Sequence, residues 1–189
     1  MMSLRRFAAF GLLDPLTAAA IRPLQERLAA ATGNDRALRF PVHVTLRGRF
    51  WGDPVQVRDA FEEAALPGAA RIALRLNGPV FRHPDLLWLA AEQAVPGPCG
   101  LTRMHEVLVA ALAQAVVRDE TASGHAGAGY RPHITLGWGA TEETLQSGAE
   151  EVLPVDIHAD VVAVVLGIYP DSWPDSGRVY LAEAWPPLR

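Results

Sequence analysis

Residues 42–50 read Val42-His43-Val44-Thr45-Leu46-Arg47-Gly48-Arg49-Phe50, and apolar and polar side chains alternate along them. This alternation predicts a β-strand with one face in the core. Because residues two apart on a strand point to the same side, His43, Thr45, Arg47 and Arg49 are expected on one face. The stretch therefore predicts a polar face that carries a histidine, a hydroxyl and two cations.

A second stretch, Pro132-His133-Ile134-Thr135-Leu136-Gly137-Trp138, has the same pattern. It places His133 and Thr135 on one face of a predicted strand. On the same alternation, Ile134, Leu136 and Trp138 lie on the opposite face, where we expect them to pack in the core.

The spacing of matching segments predicts that the chain contains a duplication. His133 follows His43 by 90 residues, and the Gly167 segment follows the Gly78 segment by 89. Tyr180-Leu181-Ala182 follows Trp88-Leu89-Ala90 by 92. Three matches in the same order indicate two halves, about residues 14–93 and 99–187, within a single bilobal domain of residues 1–189.

Hydrophobic periodicity gives the expected elements. Strands are expected near residues 5–13, 42–51, 71–82, 86–92, 132–138, 156–169 and 178–185, and helices near 15–32, 54–66, 101–117 and 141–152. Strands that follow one another as hairpins favour an α+β fold with antiparallel or mixed sheets over a doubly wound parallel sheet.

Paired His-x-Thr motifs suit phosphodiester chemistry. One neutral imidazole can take a proton from an attacking hydroxyl, and a protonated imidazole can give one to the leaving oxygen. Each threonine hydroxyl can donate a hydrogen bond to a phosphate oxygen. A single motif of this kind is usually structural, whereas two at equivalent places in a duplicated chain indicate a catalytic site formed by His43, Thr45, His133 and Thr135.

The segments His43-Val44-Thr45-Leu46 and Pro132-His133-Ile134-Thr135-Leu136 resemble the motifs of the 2H phosphoesterase superfamily. Within it, the chain is most similar to the RNA 2′,3′-cyclic phosphodiesterases, also called 2′-5′ RNA ligases. The resemblance implies a duplicated bilobal fold, with two antiparallel or mixed sheets around a central groove and helices outside. It implies no metal and no nucleotide cofactor. It also implies that His133 activates water and His43 protonates the departing 3′-oxygen.

The resemblance implies RNA ends or small cyclic-phosphate nucleotides as substrates. The first motif continues as Arg47-Gly48-Arg49-Phe50, where many members of the family have Leu-x-Phe-Leu-Gly. The exact substrate therefore stays open between an RNA 2′,3′-cyclic phosphate, a small cyclic nucleotide and an ADP-ribose cyclic phosphate. A non-catalytic nucleotide-binding module and a histidine-based metal hydrolase are further alternatives, and the latter lacks a third protein ligand near the motifs.

Side chains near the motifs are candidates for substrate binding. The arginines that could bind phosphate are Arg47, Arg49 and Arg131, and the aromatic residues that could stack on a base are Phe40, Trp51 and Tyr130. The alternatives are a solvated strand edge for the arginines and core packing for the aromatic rings. Residues 118–129 are rich in small side chains and predict a loop that serves as a lid or as a plain connector. We interpret His83, His105, His125 and His158 as turn, helix-surface, loop and strand residues.

Composition narrows the classes of protein that this chain could be. All 17 basic residues are arginine, so lysine-dependent phosphate loops, Schiff-base enzymes and lysine-adenylating ligases are excluded. A net charge of −4 argues against a broad basic surface, and Cys99 is the only cysteine. No apolar run approaches the roughly 20 residues of a transmembrane helix. We expect a cytoplasmic protein, monomeric, with no membrane association and no protein partner.

Overall fold

The computed structural model describes residues 4–64, 71–82, 86–94, 100–121, 127–139, 157–173 and 177–184. Within them lie eight strands: β1 Arg5–Leu13, β2 His43–Gly52, β3 Ile72–Arg82, β4 Leu86–Gln93, β5 Val116–Asp119, β6 His133–Trp138, β7 Ile157–Ile168 and β8 Tyr180–Ala184. The three α-helices in these ranges are α1 Pro15–Thr32, α2 Pro54–Glu63 and α3 Leu101–Leu112. Short 3-10 helices cover Arg36–Arg39 and Gly127–Gly129.

The element order agrees with the sequence prediction, with one local correction. The helix expected over 101–117 ends at Leu112, and Val116–Asp119 forms the short strand β5 instead. Paired β-branched valines favour a strand there, and β5 pairs with the C-terminal end of β2. Residues 118 and 119, expected in a loop, therefore belong to a strand. The helix predicted over 141–152 lies outside the described residues.

Helices α1 and α2 begin in the same way, with an aspartate before a proline. Asp14 accepts a hydrogen bond from the backbone N–H of Thr17 at 2.9 Å. Asp53 accepts from the backbone N–H groups of Val55 and Gln56. Because a side-chain acceptor satisfies the free N–H groups of a first turn, the Asp-Pro pairs fix where both helices start.

The strands form a single antiparallel sheet in the order β5-β2-β1-β7-β3-β4-β6, with β8 also paired to β7. The expected α+β class and antiparallel pairing are confirmed. Two sheets were expected, but β7 joins both branches: β1 pairs along Val161–Ile168, and β3 pairs along Ile157–Val161. A strand of twelve residues is long enough to serve both branches in succession.

The sheet curves so that its two motif strands approach each other. Strands β2 and β6 are in contact although four strands separate them in the sheet order. Helix α1 packs against β6 and α3 packs against β2, so the apolar faces of these strands are covered. A large core joins the buried helix residues to Val44, Leu46, Ile134 and Leu136. Among the described residues, no helix is both long and apolar enough to cross a membrane.

Candidate active site

Both motifs open onto one cavity of about 550 Å³ between β2 and β6. His43, Thr45, His133 and Thr135 line it, and all four side chains are partly exposed. The intervening Val44 and Ile134 are buried on the opposite side, against the helices. The alternation of faces predicted for both motifs is therefore confirmed, and the curvature of the sheet brings the two polar faces together. We call this cavity the groove.

The two histidine rings are held by the same backbone contact. Nδ1 of His43 lies 2.8 Å from the carbonyl oxygen of Pro41, and Nδ1 of His133 lies 2.8 Å from that of Arg131. A carbonyl oxygen can only accept, so Nδ1 carries the hydrogen in both rings. Nε2 is therefore the nitrogen left for chemistry, and Nε2 of His43 lies 3.3 Å from the hydroxyl of Thr45.

Each histidine ring also packs on an aromatic ring of the adjacent strand. The ring centroids of His43 and Phe10 are 4.3 Å apart, and those of His133 and Trp88 are 4.0 Å apart. Phe10 lies opposite Thr45 in the β1–β2 pairing, and Trp88 lies opposite Thr135 in the β4–β6 pairing. The two motifs thus have equivalent supports. The sequence repeat pairs Trp88 with Tyr180, but the ring that packs on His43 is Phe10, which nothing in the local pattern distinguishes.

A β-bulge follows the threonine in both motifs. Ala9 of β1 pairs with Arg47 of β2, and the next residue, Phe10, pairs with Thr45, so Leu46 has no partner residue on β1. In the same way, Leu87 of β4 pairs with Gly137 of β6 and Trp88 pairs with Thr135, so Leu136 has no partner residue on β4. An inserted residue shifts the following side chains to the other face of the strand. The prediction of regular alternation therefore fails immediately after each motif.

Side chains satisfy the carbonyl groups next to the bulges. The phenol of Tyr130 donates to the carbonyl of Thr45 at 2.9 Å, and Nε2 of Gln25 donates to that of Thr135 at 2.8 Å. Nδ1 of His105 lies 2.7 Å from the carbonyl oxygen of Leu46. Since a buried carbonyl without a donor is costly, these contacts fix the backbone that presents the threonines. Burial raises the pKa of the Tyr130 phenol, which keeps it protonated as a donor.

The interpretation of His105 as a helix-surface residue is wrong. Its side chain is 1% exposed, and its ring stacks on Tyr130 with centroids 4.2 Å apart. The backbone N–H of Gly127 donates to Nε2 at 3.2 Å, while Nδ1 donates to the carbonyl of Leu46. Buried on the face of α3 that packs against β2, His105 joins the first motif to the segment before the second. His158 is exposed on β7 as expected, and His83 and His125 lie outside the described residues.

Arg47 does not reach the groove, which corrects its predicted role as a phosphate ligand. The bulge turns its side chain to the buried side, where 5% remains exposed. There its guanidinium forms an ion pair with Asp119 at 2.6 Å and a hydrogen bond with Thr121. Arg49 lies beyond a second register shift and does line the groove.

Two further arginines line the groove. Arg131 does so as predicted, and Arg36 joins it from the first 3-10 helix. Both are exposed, as is Arg49. Glu120 is an acid on the same wall, but Trp51 donates to it at 2.7 Å and Arg6 at 3.2 Å. The balance of charge therefore favours an anionic ligand.

The predicted aromatic residues divide between the groove and its surroundings. Phe40 and Tyr130 line the groove, whereas Trp51 is engaged by Glu120 and lies outside it. Trp138 was expected in the core, but the β6 bulge turns it to the groove. Tyr169 and Trp173 complete the wall beside Phe40, and neither was predicted from the sequence.

Burial lowers the pKa of His43 to about 4, and the nearby charges of His133 and Arg22 act in the same direction. The hydrogen bond to Pro41 opposes this effect. His43 is therefore neutral near pH 7 in the free protein, and the two imidazoles are close enough to influence each other.

Within the described ranges, no group of three or more His, Cys, Asp or Glu side chains is placed to hold a metal ion.

The fold is shared with solved structures that span the whole chain. E. coli LigT complexed with 3′-AMP is 16% identical, with a TM-score of 0.62, and the match covers 98% of this chain and 99% of LigT. The same protein complexed with NADP+ matches with a TM-score of 0.59 over 97% of both chains at 16% identity. TT0787 of Thermus thermophilus is 19% identical, with a TM-score of 0.60 and coverage of 97% and 98%.

No curated protein matches the chain at a significant level. The family model of the 2′-5′ RNA ligase superfamily matches residues 13–173, which include both His-x-Thr motifs and every strand from β2 to β7. The chain belongs to the 2′-5′ RNA ligase superfamily, whose members share the 2H phosphoesterase fold.

Proposed function

We propose that this protein hydrolyses RNA 2′,3′-cyclic phosphate ends to 2′-phosphates, with the same groove able to catalyse the ATP-independent formation of a 2′-5′ linkage. One observation carries the proposal: two imidazoles with the same Nδ1 anchor line one groove beside two threonine hydroxyls. Membership of the superfamily supports phosphoesterase chemistry. The cytoplasmic location expected from the sequence is part of this proposal.

In the proposed hydrolysis, one neutral imidazole takes a proton from water, and the oxygen of that water attacks phosphorus. The bond from phosphorus to the 3′-oxygen breaks, and the second, protonated imidazole gives its proton to that oxygen. The products are a 2′-phosphate and a free 3′-hydroxyl. For ligation, a 5′-hydroxyl replaces water, and the same bond breaks as a 2′-5′ phosphodiester forms.

Thr45 and Thr135 act by donating hydrogen bonds to the non-bridging phosphate oxygens. Charge builds up on those oxygens as the water attacks, so donors fixed beforehand favour the transition state. Arg49 and Arg131 attract the anionic substrate to the groove. Phe40 and Trp173 provide ring faces and edges against which a base can pack.

The roles of the two histidines follow the family resemblance in this proposal: His133 activates water and His43 protonates the 3′-oxygen. A pKa near 4 for His43 in the free protein does not decide which histidine is the acid and which is the base. One proton shared by two imidazoles gives the same pH dependence of the rate in either assignment. The negative charge of a bound phosphate favours the protonated ring and opposes the effect of burial.

The decisive experiment measures turnover of a short RNA with a 2′,3′-cyclic phosphate end, with and without EDTA. We expect a 2′-phosphate product and full activity in EDTA. Binding without turnover would instead indicate a nucleotide-binding module, and loss of activity in EDTA would favour a metal hydrolase. A phosphodiester with a nitrophenol leaving group then assigns the roles, since a variant lacking the general acid should keep most of its activity on that substrate.

A second candidate function is hydrolysis of small cyclic-phosphate nucleotides. The groove volume of about 550 Å³ suits a ligand of nucleotide size. Structural neighbours are complexed with 3′-AMP and NADP+, which are small nucleotides. Comparing kcat/KM for a cyclic mononucleotide, an ADP-ribose cyclic phosphate and the short RNA separates the two functions.

We also infer that the halves of about residues 14–93 and 99–187 derive from one duplicated unit. The support is the equivalence of the two motifs. Each has the same Nδ1 contact and a bulge at the leucine that follows the threonine.

A further inference from the structure

A second cavity of about 530 Å³ lies next to the groove. Phe40 lines both cavities, so its side chain stands between them. Pro41, whose carbonyl anchors His43, also lines the second cavity. We call it the rear cavity. None of the four motif residues and none of the arginines of the groove line the rear cavity.

Three arginines line the rear cavity: Arg22 from α1, Arg39 from the first 3-10 helix and Arg178 from the segment before β8. Glu26 is the one acidic residue among the described side chains that line it. Arg178 is exposed, and Arg22 is half-buried. Three guanidinium groups against one carboxylate make a local excess of positive charge in a chain whose net charge is −4.

Contacts of the backbone and of Asp35 position two of these arginines and the segment that carries the third. Nη2 of Arg22 donates to the carbonyl of Phe40 at 2.7 Å, which fixes its guanidinium at the cavity wall. The backbone N–H of Val179 donates to the carbonyl of Arg39 at 3.1 Å, so the Arg178 segment runs beside the 3-10 helix. Asp35 pairs with Arg39 at 2.6 Å and offsets part of that charge. The charge of Glu26 attracts the Arg22 guanidinium, and the charge of Arg178 repels it more weakly. An anion between Arg22 and Arg178 would be attracted by both arginines and repelled by Glu26.

The 3-10 helix connects the two cavities. Arg36 at its start lines the groove, and Arg39 at its end lines the rear cavity. A single-stranded chain that places its terminal phosphate at the two histidines would therefore find cations on both sides of Phe40. Sequence-tolerant binding of single strands commonly combines a track of cations with aromatic side chains.

We propose that the rear cavity binds a backbone phosphate of an RNA substrate on the 5′ side of its cyclic end. This inference rests on the proposed function, and it makes an oligonucleotide the preferred substrate class. A cyclic mononucleotide occupies the groove alone and leaves the rear cavity empty. The phosphate of an upstream nucleotide is the group that Arg22, Arg39 and Arg178 recognise, by charge and guanidinium hydrogen bonds.

The test compares a tetranucleotide carrying a 2′,3′-cyclic phosphate with the corresponding cyclic mononucleotide. Arg178→Glu reverses one exposed charge of the rear cavity and should raise KM for the tetranucleotide about tenfold. It should leave cleavage of the mononucleotide within about twofold of the wild type, because the groove is unchanged. Arg103→Glu is the matched control, because Arg103 is an exposed arginine of α3 that lines neither cavity. Reversal of its charge should leave KM for both substrates unchanged.

Two further measurements give the inference independent support. Glu26→Gln removes the opposing charge and should lower KM for the tetranucleotide. Arg178→Gln should reduce the slope of log KM against log salt by roughly 0.7 for the tetranucleotide only, as expected for one lost phosphate contact on a single strand.

Equal effects of Arg178→Glu on both substrates, or no effect on either, would overturn the inference. An acidic peptide that competes with the tetranucleotide at equal concentration would overturn it as well, by favouring a protein ligand. If the wild type cleaves neither substrate, calorimetric binding of a 3′-phosphorylated tetranucleotide and mononucleotide to the same variants decides the question. The failure of cleavage then contradicts only the proposed function.

Discussion

The phenol of Tyr130 donates a hydrogen bond to the backbone carbonyl of Thr45 at 2.9 Å. Tyr130 lies three residues before His133, so this bond ties the entry to the second motif strand to the first motif. The bulge at Leu46 makes that carbonyl available. The relative position of the two motifs therefore depends on a contact between the halves of the chain, in addition to the sheet.

Tyr130→Phe removes this hydrogen bond and keeps the stack on His105. If the bond positions Thr45 for catalysis, we expect kcat for the cyclic-phosphate RNA to fall about tenfold while KM stays unchanged, because the groove walls remain. The free energy of unfolding should fall by only about 1 kcal/mol, the usual net value of one hydrogen bond. Equal changes in kcat and in KM would indicate a general loss of structure.

His43→Ala and His133→Ala should each lower kcat by about 10²–10⁴-fold, because each removes a proton donor or acceptor from the reaction. The measurement is single-turnover cleavage of the cyclic-phosphate RNA, with circular dichroism to verify folding. His158→Ala is the control, since His158 is exposed on β7 and lines neither cavity. A loss of only a few-fold in both motif variants would contradict the two-histidine mechanism.

Thr45→Val and Thr135→Val should lower kcat by less than loss of a histidine, by up to about 10²–10³-fold. Valine keeps the shape of threonine and removes the hydroxyl that donates to phosphate. Single-turnover rates on the same RNA measure the effect. Normal rates in both variants would mean that the threonines do not contact the reacting phosphate.

Arg49→Ala should affect substrate binding and Arg47→Ala should affect stability, although the two residues are only two positions apart on β2. Arg49→Ala should raise KM about three- to tenfold and reduce its salt dependence, because Arg49 is exposed in the groove. Arg47→Ala should leave KM nearly unchanged and lower the free energy of unfolding by about 1–3 kcal/mol, because the buried Arg47 side chain loses its contacts with half-exposed Asp119 and with Thr121. A rise in KM for Arg47→Ala alone would contradict this assignment.

The pH dependence of kcat/KM should be bell-shaped, since one imidazole must be neutral and the other protonated. Partial burial of His43 lowers its pKa to about 4, which puts the acidic limb of the profile near that pH in the free protein. The basic limb follows the loss of the remaining proton, which histidines usually undergo between about pH 5 and 8. A rate that stays flat over that range, with chemistry limiting, would argue against paired histidines.

The same pKa also predicts how stability depends on pH. A histidine in the unfolded chain has a pKa near 6.5, so between about pH 6.5 and 4 His43 binds a proton in the unfolded chain and not in the folded protein. Stability is therefore unaffected by this group above about pH 6.5 and falls as the pH decreases, by roughly 2 kcal/mol at about pH 5. Urea unfolding at both pH values, repeated for His43→Asn, isolates this contribution, and an equal decrease in both proteins would contradict it.

Most of the strands and helices could be predicted because each is encoded by local periodicity. β1 is an exception, since it alternates too little to indicate a face, and its short apolar run and its Asp14-Pro15 end predicted its bounds instead. β5 was missed because the apolar pattern of α3 continues smoothly into Val116 and Val117. Pairing with β2 decides the conformation of those valines, and periodicity alone cannot detect such a partner.

The candidate site was predictable only as far as each motif extends. His43 and Thr45 point to the groove because a regular strand places residues two apart on one face. Arg47, at the next alternate position, does not, because the bulge at Leu46 intervenes. The same cause moves Trp138 from the expected core to the groove. Neither inserted residue is a glycine, but Gly48 and Gly137 follow the two bulges closely, and a glycine inside a strand is a signal of a bulge that the prediction of regular alternation did not use.

The amino-acid sequence was enough to predict the two His-x-Thr strands, the polar and apolar faces of their motifs, the order of most elements and the family. All of these depend on interactions between residues that are close along the chain. That both strands open onto one groove follows from the tertiary fold, because it depends on how β7 joins the branches of a curved sheet. The tertiary fold likewise decided that His105 is buried and that Arg22, Arg39 and Arg178 share a cavity, since their positions are set by contacts between residues far apart in the chain.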